Sequence, residues 1–250
     1  MSLLHPTTLV LDPDFADLTE FMYSLPHRFA AGEGTVIHRG RNELRLIRLD
    51  SRALVVKAFR RPHIINRLVY GTLRSSKAKR SFDNATMLRR LGIGTPRPVG
   101  YLNIRSACGL LFDRSYYVSL QSDCTHLYQE LFDRPFACEE AVLRAIGRLT
   151  ATLHEHGLAH RDYGRANILF EPLPDGSVRL DLVDLNRMTV GGTFDVKAGC
   201  RNFERLPATP QMHRWMAEEY AAARGFDPDE CFRLMEAYRQ TQPGKVDGKY

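Results

Sequence analysis

From Thr35 onward, apolar and polar residues alternate with a period of two. Thr35–His38, Glu43–Leu49 with Leu44, Leu46, Ile47 and Leu49 set among arginines, and Ala53–Phe59 read as strands joined by tight turns, the first at Arg39-Gly40-Arg41-Asn42. This pattern predicts an antiparallel meander. A helix is predicted from about Lys77 to Leu91, with Phe82, Met87, Leu88 and Leu91 as its apolar stripe and Gly92 and Gly94 as its end. Strand signals return at 99–102, 109–112 and 116–120.

Beyond Gln121 the period lengthens to that of a helix. From about Glu139 to His156, Val142, Ile146, Leu149 and Leu153 share one face and Gly157 supplies a stop, so this segment is expected to be the buried spine of a helical region. Two apolar runs, Asn167–Phe170 and Val178–Leu185, joined through Pro172, Pro174 and Asp175-Gly176, predict a hairpin. Helical patterns close the chain at about 211–224 and 229–238. Strands first and helices after describe an α+β protein of two lobes: residues 1–121, a small antiparallel sheet with one main helix, and residues 122–250, helical and containing the hairpin. A ligand is expected between them.

Charge adds a partner class to this outline. Between Arg39 and Arg105 seventeen Lys or Arg stand against Glu43, Asp50 and Asp83, an excess of +14, while the rest of the chain carries −8 of the net +6. Such a clustered positive field attracts phosphates, anionic headgroups or nucleic acid. No run approaches the ~18 apolar residues of a spanning helix, and no basic segment precedes the apolar residues of the start, so a soluble, unprocessed protein is expected. Five widely spaced cysteines without a Cys-x-x-Cys pair fit reduced thiols in a cytoplasm.

The candidate chemistry lies in His160-Arg161-Asp162, with Asn167 five residues after the aspartate and Ile168-Leu169-Phe170 behind it. This is the pattern of a kinase catalytic loop, in which the Asp accepts the proton of a hydroxyl and the Asn binds Mg²⁺. Asp184, seventeen residues after Asn167 at the end of an apolar strand, is the second expected Mg²⁺ ligand, and the two converge if the apolar runs pair as a hairpin. Lys57, inside the third strand of the meander, is expected to grip the α- and β-phosphates of ATP; a lysine without that role would point to solvent from the open face of a sheet. Asp83, the one acid of the following helix, is the candidate partner of Lys57, with Asn84 the other choice. No Gly-x-Gly-x-x-Gly is present, so phosphate cradling falls to Gly40, Arg41 and Asn42, and Gln121 is counted with them as a nucleotide contact. Arg165 is expected to supply the positive charge that many protein kinases place shortly after the catalytic Asp. His154 and His156, two apart at a helix end, are expected to be solvated or locally bonded, and His160 to brace the loop.

These residues resemble the lipopolysaccharide kinase family, which phosphorylates heptose or Kdo (3-deoxy-D-manno-octulosonic acid) sugars of the lipid A core in Gram-negative bacteria. Besides the catalytic loop and Asp184, the resemblance rests on Arg39–Asn42, Val56-Lys57-Ala58-Phe59-Arg60-Arg61-Pro62, Ser76–Phe82, Gly94-Thr95-Pro96-Arg97-Pro98, Asp184–Met188 and Arg201–Leu206. It implies a protein-kinase-like fold, the use of ATP and Mg²⁺, and an anionic sugar or glycolipid acceptor. The basic segment from Arg60 to Arg80 would then engage substrate phosphates or the inner-membrane surface. The absence of Ala-Pro-Glu after Asp184 speaks against a peptide-docking segment. A monomer without a stable nucleic-acid partner is expected. Two other readings stay open: a small atypical Ser/Thr protein kinase, and a kinase-fold module without catalysis that binds polyanions.

Overall fold

The structure is a computed structural model that describes residues 7–59, 75–105 and 112–240. Most of the basic segment, including Arg60-Arg61-Pro62, lies outside the described residues, as does most of the strand expected at 109–112. The chain divides into two compact units, one formed by the residues up to Arg90 with Pro96–Ser122, the other by Leu91–Thr95 with the residues from Asp123 onward.

The first unit is built on a six-stranded antiparallel sheet in the order β1-β5-β6-β4-β3-β2. Its strands are β1 (Thr7–Leu11), β2 (Thr35–Arg39), β3 (Asn42–Leu49), β4 (Arg52–Phe59), β5 (Pro98–Arg105) and β6 (Phe112–Leu120), with α1 (Thr19–Ala30) after β1 and α2 (Lys77–Arg90) after β4. The predicted meander is β2, β3 and β4, in the expected order. Period-two alternation gives both faces of β4 a core. Leu54, Val56 and Ala58 pack with Phe21, Met22 and Leu25 of α1, while Phe59 packs with Ala78 of α2 and Tyr101 of β5. Arg45 fastens the end of α1: its guanidinium is 2.6 Å from Glu43, donates to the Glu33 carbonyl at 2.9 Å and lies 4.8 Å over the Phe29 ring. One bond and one ring contact from β3 thus tie down the chain just past α1, whose last carbonyls accept from the Ala31, Gly32 and Glu33 N–H groups.

The second unit contains β7 (His126–Leu127), α3 (Glu130–Asp133), α4 (Glu139–Glu155), β8 (Ala159–His160), β9 (Ile168–Pro172), β10 (Val178–Leu182), β11 (Met188–Thr189), α5 (Val196–Arg201), a 3-10 turn at Asn202–Arg205, α6 (Pro210–Arg224) and α7 (Pro228–Gln240). The apolar stripe of α4 buries Val142, Ile146 and Leu153, and α4 packs on α6, which packs in turn on α7. Helix α4 ends at Gly157, whose φ of 69° is the left-handed stop its position predicts. The predicted hairpin is β9 paired antiparallel with β10, from Ile168 opposite Leu182 to Pro172 opposite Val178. β8 pairs with β11, setting His160 opposite Met188.

Residues 91–95 are strapped onto this hairpin. Gly94 accepts from the Leu182 N–H at 2.9 Å and Thr95 Oγ1 donates to the Leu182 carbonyl at 2.7 Å. A Cβ on Gly94 would stand 1.8 Å from the Leu180 carbonyl oxygen, so only glycine fits. The Gly94-Thr95 pair noted in the sequence is therefore a fastening of the chain onto the strand that leads to Asp184.

Candidate active site

The expected residues of the first unit are placed as follows. Lys57 sits on β4 between Leu44 of β3 and Tyr117 of β6. It is buried, at 8 % exposure, so it does not point to solvent from an open face. Its Nζ lies 5.4 Å from the centre of the Phe59 ring, and Lys77 Nζ lies 6.0 Å from the same ring, so two ammonium groups approach one aromatic ring. A buried ammonium costs solvation and is suited to a strong anionic ligand.

The expected Lys57–Asp83 pair is not what forms. Asp83 accepts from Lys79 Nζ at 2.8 Å, and this exposed pair, one turn apart on α2, takes the carboxylate assigned to Lys57. The pair holds the Lys79 ammonium above its ordinary pKa, chiefly through that hydrogen bond. Asp83 at this offset faces its own helix neighbour. Gly40 and Arg41 form the turn between β2 and β3, closed by Gly40 N–H donating to the Asn42 carbonyl at 3.1 Å. Gln121 donates its backbone N–H to the Ala53 carbonyl at 2.8 Å, and its side chain is exposed.

In the second unit the catalytic loop is held from beneath by an aromatic stack. Tyr163 is buried and its hydroxyl is 2.8 Å from Thr150 Oγ1 of α4; burial pushes the phenol pKa up. The Tyr163 ring meets Phe203, and Phe203 meets Tyr220 of α6. His160 is fully buried and bonded at both nitrogens: Nε2 lies 3.0 Å from the Val183 carbonyl, and Nδ1 accepts from the Asp162 N–H at 3.2 Å. Because a carbonyl can only accept, the proton sits on Nε2 and the ring is neutral. His160 thus braces the loop, as expected.

His154 departs from expectation. It is buried, not solvated, and its partners are remote in sequence: Tyr220 Oη at 2.9 Å, Asn202 Oδ1 at 3.0 Å, and the stacked Phe194 ring 4.2 Å away. Burial lowers its pKa to about 4. His156 is exposed and locally bonded to the Thr152 carbonyl, as predicted. Asn202 links the two parts of this frame, since its Nδ2 donates to the His160 carbonyl at 3.0 Å while its Oδ1 accepts from His154.

On this frame Asp162, Asn167 and Asp184 are drawn to one end of the β9–β10 hairpin. Asn167 Nδ2 donates to the Asp162 carbonyl at 2.7 Å, which leaves Oδ1 as its cation-binding atom. The Val183 N–H donates to the Asn167 carbonyl at 3.0 Å, setting Asn167 beside the residue that precedes Asp184. Asp184 has a φ of 58°, left-handed for a residue other than glycine, and Asn186 Nδ2 donates to its Oδ1. That turn takes Asp184 out of the ladder at the hairpin's end, a strained geometry of the kind held at functional sites. One amide oxygen and one carboxylate are the donor set Mg²⁺ uses when phosphate oxygens fill its other positions, so these residues fit the ion the loop implies.

Two residues without an assigned role in the sequence reading complete the centre. Arg187 Nη1 lies 3.2 and 3.1 Å from the two carboxylate oxygens of Asp162, and Arg205 Nη1 lies 3.1 Å from Oδ1. Arg187 follows Asp184 by three residues and Arg205 ends the Arg201-Asn202-Phe203-Glu204-Arg205 run. Their signal was arginine recurring in a part of the chain whose overall charge is negative. Arg165 and Arg205 border, with Asp162, Asn167 and Pro207, a cavity of about 290 Å³. Tyr128 secures its far wall by donating to the Pro207 carbonyl at 2.5 Å, and Gln129 N–H donates to the Arg165 carbonyl at 3.1 Å.

Comparison with known proteins gives the fold and the family. A sequence search of curated proteins gave no match. Among solved structures, one described as WaaP in complex with acyl carrier protein aligns with a TM-score of 0.62 at 20% identity, covering 94% of this chain and 97% of that one. The Rio2 kinase–ADP/Mg²⁺–phosphoaspartate complex from Chaetomium thermophilum aligns with a TM-score of 0.50 at 17% identity, covering 88% and 75%. At these identities the likeness shows a protein-kinase-like fold. Residues 47–238 match the Lipopolysaccharide kinase (Kdo/WaaP) family, so the chain belongs to that family and is a kinase of the lipopolysaccharide core, a phosphotransferase with an alcohol group as acceptor.

Proposed function

We propose that this kinase uses ATP and Mg²⁺ to phosphorylate a Kdo or heptose hydroxyl of the lipopolysaccharide core, with Asp162 receiving the proton of that hydroxyl. The observation that carries the reading is the gathering of Asp162, Asn167 and Asp184 at one end of the hairpin, with the Asp162 backbone carbonyl fixed by Asn167. When bound, ATP supplies the phosphoryl group and Mg²⁺ neutralises charge on its phosphates. Asn167 Oδ1 and the Asp184 carboxylate would hold the ion. Lys57 would take the α- and β-phosphates through an ammonium already withdrawn from water. Gly40, Arg41 and Asn42 would cover phosphates through backbone N–H groups and the exposed Arg41, and Gln121 would line the nucleotide's other end. Arg165 would steady charge that develops at the acceptor. Asp83, bound to Lys79, is left out of this set.

Incubation of the protein with γ-labelled ATP, Mg²⁺ and lipid A carrying Kdo or heptose tests the reading. Label on a sugar hydroxyl is the expected result; label on Ser or Thr of a protein acceptor and none on sugar refutes it.

The exposed Arg39, Arg41, Arg48, Arg89 and Arg90 give the first unit a cationic surface that would bring the enzyme to an anionic membrane from the cytoplasmic side. Among the described residues no helix is long and apolar enough to cross a membrane. Vesicles of anionic lipid should retain the protein at low salt and release it at high salt. By likeness to WaaP, an acyl carrier protein is proposed as a protein partner, which co-elution of the two would test.

A further inference from the structure

The carboxylate assigned to receive the acceptor's proton is occupied by two guanidinium groups, Arg187 on both oxygens and Arg205 on Oδ1. Both arginines reach outward, with side chains 60 % and 46 % exposed. Arg205 shares the border of the cavity with Arg165, whose guanidinium makes no ion pair among the described residues. Glu204 stands 4.0 Å from Arg205 and 3.8 Å from Arg201, at the limit of ion-pair contact, and does not line the cavity. Two guanidinium groups therefore hold the Asp162 carboxylate, and the cavity, lined by Arg165 and Arg205 against the one carboxylate of Asp162, carries a net positive charge. A guanidinium offers five N–H donors in a planar fork, and Asp162 uses one nitrogen of Arg205, so further donors remain for a second anion.

Resting on the reading that Asp162 serves a sugar hydroxyl, we propose that Arg205 and Arg165 form an anion subsite beside it. The phosphorylated hydroxyl must then have a carboxylate or phosphate as its neighbour on the acceptor. An anion entering the cavity takes over the Arg205 donor now given to Asp162. Asp162 keeps Arg187, and its Oδ1, relieved of the Arg205 donor, gains a free lone pair for the hydroxyl. The acceptor's charge thus both seats it and frees the group that receives its proton. With contacts of about 3 Å on each side, hydroxyl and anion oxygens stand roughly 3 to 6 Å apart, within one sugar or across one linkage. A neutral acceptor leaves Arg205 on Asp162, so its hydroxyl meets a carboxylate oxygen still occupied by that donor.

The experiment compares wild type, Arg205→Gln and Arg165→Gln on three acceptors: lipid A bearing Kdo, the same molecule with its Kdo carboxyl reduced to the alcohol, and the same molecule without its lipid A phosphates. Wild type should lose about tenfold to a hundredfold in kcat/KM when the recognised anion is removed, mostly through KM. Loss on carboxyl reduction identifies the sugar acid as the anion, and loss on phosphate removal identifies the phosphate. In both variants the ratio between the charged acceptor and its neutral form should collapse towards one. The same ratio in wild type and both variants would overturn the subsite, as would a wild-type enzyme indifferent to both removals, a comparison that needs no variant to fold. Wild-type transfer to any of the three acceptors keeps the kinase reading even if the subsite fails; transfer to none of them and none to heptose-bearing lipid A refutes both.

Discussion

Asn167 donates its side-chain amide to the backbone carbonyl of Asp162 at 2.7 Å, so the residue that would bind the metal also fixes the residue that would meet the acceptor. One substitution should therefore break two functions. Asn167→Ala is expected to lower kcat by about a hundredfold or more, since both ion binding and loop geometry go. Asn167→Asp keeps an oxygen for Mg²⁺ but opposes a carboxylate to a carbonyl, and should recover only part of the rate. Steady-state kinetics at saturating and limiting Mg²⁺ separate the two effects. Full activity in the alanine variant would contradict the shared role.

Asn202 should matter to stability although it touches no reacting group. Its amide joins His154 of α4 to the His160 carbonyl. Asn202→Ala strands a buried carbonyl and a buried ring N–H, at a cost of about 1–3 kcal/mol for each group left unpaired. Denaturant unfolding should show a lower midpoint with an unchanged slope.

Lys57→Met should separate function from folding. Methionine can fill the pocket over Phe59 while the phosphate grip is lost, so activity is expected to fall by about a hundredfold with no loss of thermal stability. The stabilisation that Mg-ATP gives wild type should shrink in the variant. Equal stabilisation by nucleotide in both proteins would remove Lys57 from the site.

Stability should depend on pH through His154. Burial holds its folded pKa at about 4, below the ordinary 6.5, so the unfolded chain binds the proton first as pH falls. The contribution is whole above pH 6.5 and is lost progressively down to about pH 4, a change of about 3 kcal/mol. His213 is lowered in the same direction, again chiefly by burial, and adds to the trend. Unfolding free energies across this range check the sign, and His154→Phe should flatten the curve. Stability that rises on acidification would refute the assignment.

Legibility in the sequence followed the reach of each signal. Periodicity placed the β2–β4 meander, α2, α4, α6, α7 and the β9–β10 hairpin because these elements declare themselves within a dozen residues. It offered nothing for β1 and α1. There five residues are too few to show alternation, and Pro26 interrupts a helix whose Phe21, Met22 and Leu25 face the core through tertiary contact. The loop motif placed Asp162, Asn167 and Asp184 together, since spacing and hairpin pairing suffice for that. Asp83 was misassigned because an acid on a helix has a partner one turn away as readily as one on a sheet. His154, Arg187 and Arg205 were missed as partners because their contacts span 48 to 66, 25 and 43 residues, beyond any local pattern.

The central claim is that Asp162 serves the acceptor hydroxyl, and the rate of phosphate transfer by Asp162→Asn to Kdo- or heptose-bearing lipid A tests it most directly. Asparagine keeps the size of the side chain and the Asp162 backbone carbonyl that Asn167 holds, but removes the charge. Transfer should fall by about a hundredfold or more while binding of Mg-ATP persists. Transfer as fast as in wild type would contradict the account.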